Sequence, residues 1–162
     1  MAGPFARRRG GSVDATLSEA EVELLRSITS QMAVVLDAPE KSEHTERLFP
    51  PAYIDDPDAQ AEYARLMTSD LLDGKRRALT SFTTTLERGE VKRAAWRVRL
   101  SADETQDWLA VLNDARLTLG SRLDVTEQTY DREIDPDAPD AMALEVFRYL
   151  GYLEEFLLEA LM

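Results

Sequence analysis

Apolar positions recur along most of this chain at helical spacing, broken by two short alternating runs. Leu25, Ile28, Met32 and Val35 share one face of a segment running from Ser18 to about Leu36. Ser18 and Glu21 have the spacing of a capping box, which fixes the start. Asp56-Pro57 is a second start signal, because Asp caps and Pro suits the first helical position. The helix it opens continues through Tyr63, Leu66 and Met67, breaks near Asp70, and resumes through Leu79, Phe82 and Leu86 to Gly89. Ser101 and Glu104 repeat the capping-box spacing. The helix that follows places Trp108, Val111, Leu112, Ala115 and Leu119 on one apolar arc and ends at Gly120 as its C-terminal cap glycine. A last helix runs from about Asp140 to the terminus. Its apolar arc (Val146, Leu150, Leu153, Phe156, Leu157, Leu161) is wider than one buried face needs.

Two segments alternate with period two: Val13–Leu17 weakly, and Val91–Leu100 clearly, where Trp96, Val98 and Leu100 interleave with Arg97 and Arg99. The pattern predicts a mainly α, multi-helix fold with a short two-stranded β element. The 162 residues read as a single domain, 1–162. Residues 1–11 are expected to be flexible, and 37–52 and 124–140 to be loops.

Charge sharpens this picture. The net charge is −12, unevenly spread: residues 1–100 carry 15 basic against 16 acidic side chains, residues 101–162 carry 4 against 15. The acidic third repels DNA phosphates and attracts basic protein surfaces. The basic groups Arg7, Arg8 and Arg9, Lys92 and Arg93, and Arg97 and Arg99 are the candidate DNA contacts; Lys75-Arg76-Arg77 is a further cluster. The competing use of these groups is a solvated face, or ion pairs to the acidic third. No apolar run approaches a membrane span, and no apolar stretch follows the N-terminal arginines as a signal peptide requires. A cytoplasmic location is the expectation.

Chemistry is sparse. The chain has no cysteine, so it offers no thiolate or disulfide. Its single histidine, His44, lies in a charged loop without metal-ligand spacing. Asp55, Asp56 and Asp58 cluster, but as a helix cap and first turn rather than a cation site. No phosphate loop, nucleophile elbow or paired catalytic motif is present, so no catalytic, cofactor or metal residues are assigned and an enzyme is not expected. Arg116 falls inside an apolar arc, flanked by Asn113, and needs a partner. Glu154, inside the arc of the last helix, is the first candidate, with Asp114 and Glu155 as alternatives. Leu117 points away from the main arc. With the wide last helix it suggests a second interface, a homodimer, against a central helix within one domain.

The run Phe49-Pro50-Pro51-Ala52-Tyr53 with Asp55-Asp56-Pro57, and the run Asn113-Asp114 with Arg116, Gly120, Arg122 and Leu123, resemble the actinobacterial family whose named branch is AosR-like, once a domain of unknown function. The segment Tyr149-Leu150-Gly151-Tyr152-Leu153 fits as well. The resemblance implies a cytoplasmic transcription regulator that acts with an alternative sigma factor and RNA polymerase under oxidative stress. Its redox-sensing branch depends on an N-terminal cysteine pair, which these residues lack. The expected function is regulation through protein contacts, with direct DNA contact as an added use. The alternative is an interaction adaptor or scaffold with no nucleic-acid role.

Overall fold

The computed structural model describes residues 3–37, 48, 55–123, 125 and 133–162, and within these not the side chains of 64–69. The elements are β1 (Phe5–Arg7), a 3-10 turn (Arg9–Gly11), β2 (Val13–Leu17), α1 (Glu19–Asp37), α2 (Pro57–Arg88), β3 (Glu90–Lys92), β4 (Ala95–Leu100), α3 (Ala102–Arg122) and α4 (Ala141–Leu161). The strands form one antiparallel sheet in the order β1-β2-β4-β3.

The two-stranded element expected from sequence is therefore half of the sheet. Its central pair is β2 with β4, in the register Val13 opposite Leu100 and Leu17 opposite Trp96. Residues 5–7, expected to belong to a flexible start, add an edge strand. Phe5 is buried and seats edge-on against Trp108, with ring centroids 6.1 Å apart. Gly10 and Gly11, at φ +86° and +88°, make the turn that folds β1 back onto β2, a conformation favoured by glycine. The other edge arises because residues 91–100 form a hairpin rather than one strand. Arg93 and Ala94, at φ 53° and 62°, make its two-residue turn.

Local capping explains the starts of α1, α2 and α3. Ser18 and Glu21, and Ser101 and Glu104, each exchange reciprocal side-chain to backbone hydrogen bonds of 2.9 and 3.1 Å. The Asp56 carboxylate accepts from the Ala59 N–H at 3.1 Å, with Pro57 at the first position of α2. That helix runs without the expected break near Asp70, for 32 residues, about 48 Å. Gly89 closes it for a packing reason: a Cβ there would lie 2.1 Å from the buried Trp96 ring. Gly120 is not the end of α3, which continues to Arg122. It is a buried interior glycine whose Cβ would meet the Phe147 ring of α4 at 2.9 Å.

The inner face of the sheet (Val13, Ala15, Leu17, Trp96, Val98, Leu100) covers a core built from α1, α2 and α3. Trp108 of α3 is fully buried, packs on Phe82 of α2 at 4.5 Å between centroids, and donates its indole N–H to Thr85 Oγ1 at 2.7 Å. The hydrogen bond matters because a buried indole N–H without an acceptor costs stability. α3 packs between α2 and α4, and α1 lies against α2. α4 buries Leu144, Phe147, Leu150, Leu153 and Leu157 and leaves Tyr152 and Leu158 about half exposed. Among the described residues no helix is long and apolar enough to cross a membrane.

Candidate functional site on the outward face of the sheet

Strand alternation puts one face of the sheet on the core and leaves the other to water. On that outward face β2 contributes Asp14 and Thr16, β4 contributes Arg97 and Arg99, and β3 contributes Glu90 and Lys92. Arg8 from the end of β1 and Arg88 from the end of α2 complete a cleft of about 500 Å³.

The cleft is charged but largely neutralised from within. Asp14 bridges two cations: Oδ1 accepts from Arg99 Nε at 2.9 Å, and Oδ2 from Arg8 Nε. The Arg99 hydrogen bond, with Arg8 beside it, holds the Asp14 carboxyl below its ordinary range, and Asp14 in turn raises Arg99. Arg88 grips Glu104 with both terminal nitrogens, at 2.7 and 2.9 Å, and donates to the Arg99 carbonyl at 2.6 Å. The forked guanidinium pushes Glu104 down to about 2. Lys92 lies 3.5 Å from Glu90. Arg97 differs from these: its nitrogens reach the Lys92 carbonyl at 3.4 Å and Thr16 Oγ1 at 3.5 Å, both neutral acceptors at the edge of hydrogen-bond range. Asp14 and Glu104, the shifted carboxylates here, move away from neutrality. They are set to stay ionised and bind, not to exchange protons near pH 7.

Of the basic residues singled out by sequence, the fold gathers Arg8, Lys92, Arg97 and Arg99 around this cleft. Arg7 stands opposite Val13, on the other side of the sheet's edge strand. Arg9 lies in the 3-10 turn, and Arg93 sits at the hairpin tip. Sequence reasoning missed Asp14, Arg88 and Glu104 as members. Asp14 had a signal, since it occupies an outward position of an alternating strand. Arg88 and Glu104 had none, because their meeting depends on how α2 and α3 dock.

The second group of predicted residues lies along α3. Arg116 Nε is 3.1 Å from Glu154 Oε2 on α4. Both atoms are buried, and the N–H is not aligned on the oxygen, so this contact is Coulombic rather than a formed hydrogen bond. Asp114 is engaged elsewhere: Lys75 Nζ of α2 lies 3.0 and 3.1 Å from its two oxygens. Burial raises the Asp114 carboxyl above its usual value, and Lys75 works against that rise. Asn113 is half-buried and Arg122 exposed. Asp55 and Asp56 are exposed at the start of α2, with Pro57 in its first turn. Phe49, Pro50, Pro51, Tyr53 and His44 lie outside the described residues. Among the described residues no cluster of three or more His, Asp or Glu is arranged to hold a metal ion.

Comparison with known proteins places the chain. It is 29 % identical over 113 residues to a protein of Mycobacterium leprae (strain TN) named "Putative oxidative stress regulator AosR". The matched stretch is 69 % of this chain and 49 % of that protein, so the chain spans about half the length of this relative. No solved structure matches it. A family model described as a domain of unknown function (DUF2017) matches residues 2–161. With all but its terminal residues matched, the chain belongs to the DUF2017 family.

Proposed function

We propose that this chain is a non-enzymatic, cytoplasmic regulator of the oxidative-stress response that works through protein contacts, with the outward face of the sheet as its docking surface. The observation carrying this reading is the internal neutralisation of that face. Asp14 occupies Arg8 and Arg99, and Glu104 occupies Arg88. A phosphate backbone would have to displace carboxylates already in place, whereas a protein partner with alternating charge matches the face as it stands. The relative's name supports the regulatory setting. The partner class, a sigma factor or RNA polymerase, rests on family resemblance. Self-association through the outward side of α4, at Tyr152 and Leu158, belongs to the same reading, and sedimentation of the purified chain measures it.

Direct DNA contact is the second reading. It is favoured by Arg97, with only neutral acceptors, and by Arg93 at the hairpin tip. One experiment separates the two. The chain is used to capture purified RNA polymerase core and holoenzyme, and is run in gel shifts with promoter DNA across a salt series. The protein-contact reading expects polymerase or sigma capture that Arg97→Glu weakens, with no shift of DNA alone. A DNA shift that weakens steeply with salt supports the second reading. Absence of both defeats both.

A further inference from the structure

A second cavity, about 320 Å³, opens on the opposite side of α3, between α1 and α4. Ile28 and Met32 of α1 form one wall and Met142 and Val146 of α4 the other, with Thr118 and Arg122 of α3 between them. Its size and apolar walls are those of a small-molecule pocket at the lower end of the usual range.

Two polar side chains of α3 line it, and one of them holds a buried atom with no partner among the described residues. Thr118 is 3 % exposed, and its Oγ1 has no hydrogen-bond partner. This is out of pattern for the molecule. Thr83, Thr84 and Thr105, also within helices, donate to the carbonyl four residues back at 2.8, 2.9 and 2.8 Å. A buried hydroxyl left open in an apolar wall marks a place for a polar atom from outside. Arg122 lies one helical turn further on, so it stands on the same face of α3. Among the described residues it is the only charged side chain lining the cavity.

We propose that this cavity binds a medium-chain aliphatic carboxylate: the alkyl chain lies between α1 and α4, and the carboxylate accepts hydrogen bonds from Thr118 Oγ1 and the Arg122 guanidinium. Charge complementarity selects the head group. Arg122 contributes a cation, and among the described residues no carboxylate lines the cavity to oppose an anion. The walls select the tail, because apolar surface that is partly open gains by being covered. Such a ligand would touch α1, α3 and α4 at once, which makes its binding felt across the helical layer. The inference is independent of what docks on the sheet.

The test is a titration of the isotopically labelled chain with decanoate below its micelle concentration, followed by amide chemical shifts, with decanol as the neutral counterpart. Saturable shifts centred on Met32, Thr118 and Val146 are expected, with decanoate at least tenfold tighter than decanol. Arg122→Gln, at an exposed position that leaves the fold intact, is expected to weaken decanoate about tenfold and leave decanol unchanged. Thr118→Val is expected to weaken decanoate severalfold. Non-saturating shifts, shifts centred elsewhere, or an Arg122→Gln variant that binds decanoate as tightly as the parent would overturn the assignment.

Discussion

Arg116 and Asp114 sit two residues apart on α3, and each meets its partner on a different helix. Arg116 meets Glu154 of α4, and Asp114 meets Lys75 of α2. Neither pair adds much stability relative to an apolar replacement, because both ions lose water. Removing one partner, in contrast, strands a charge. Arg116→Met is therefore expected to lower stability by about 1–2 kcal/mol in urea denaturation, and the double change with Glu154→Leu to recover most of it. A double variant no better than the single one would remove the docking role of this pair. Lys75→Ala is expected to cost about 2 kcal/mol near neutral pH. The sign of its pH dependence follows from Asp114. Its folded-state carboxyl is already raised by burial, so it favours the fold less as pH rises through that range. Without Lys75 the carboxyl climbs further. The deficit of Lys75→Ala should widen between pH 4 and pH 7, a trend read directly from denaturation midpoints.

Elements bounded by strong local chemistry were readable, and those made by docking were not. The capping boxes at Ser18 and Ser101 and the Asp56-Pro57 start carry their own hydrogen bonds, so the helix starts follow from a few adjacent residues. β1 has one buried residue in three and β3 has none, so neither shows alternation; their edges exist because β2 and β4 are there to pair. The Arg93-Ala94 turn lacks the Asn-Gly signature that would announce a hairpin. Gly120 looked like a helix end because glycine usually is one, whereas here it makes room for Phe147. The outward arginines were legible as a stripe, but Asp14, Arg88 and Glu104, which neutralise them, join through tertiary contacts. Two expectations belong to this scale. Replacing Arg93-Ala94 by Asn-Gly should stabilise the hairpin by about 1 kcal/mol, since both residues then suit positive φ. If Arg93 takes part in binding, the same variant binds its partner less well while melting higher. Glu104→Gln keeps the cap geometry and loses the charge that meets Arg88. A cost of about 1 kcal/mol at pH 7 is expected for this partly exposed pair. Because Glu104 falls from 4.5 to about 2 on folding, its contribution is complete above pH 4.5 and disappears as pH drops towards 2. Parent and variant stabilities should therefore converge in acid.

Across the whole chain, the two recesses differ in chemistry. The outward face of the sheet is a charged cleft, and the α1–α3–α4 cavity is a smaller, mostly apolar recess. Eight of the fifteen acidic side chains of residues 101–162 lie on α3 and α4, and a net acidic field of this kind attracts basic partners and repels nucleic acid. Association with a protein partner should thus slow as salt rises, and Arg97→Glu should change the affinity more than the salt slope, which stopped-flow mixing resolves. The pairing of β2 with β4 has a consequence in time as well as in space. Asp14 meets Arg99 across 85 positions of chain, so a strand made among the first residues must wait on the ribosome until two helices and a hairpin have followed it. The helices close through near neighbours, whereas the sheet closes a long loop and is set to form late. Val13→Ala and Val98→Ala, both buried within that pairing, should mainly speed unfolding and barely slow folding. While synthesis proceeds, β1 can pair with β2, but the edge of β2 that meets β4 stays open, and in that interval it is free to pair with another chain.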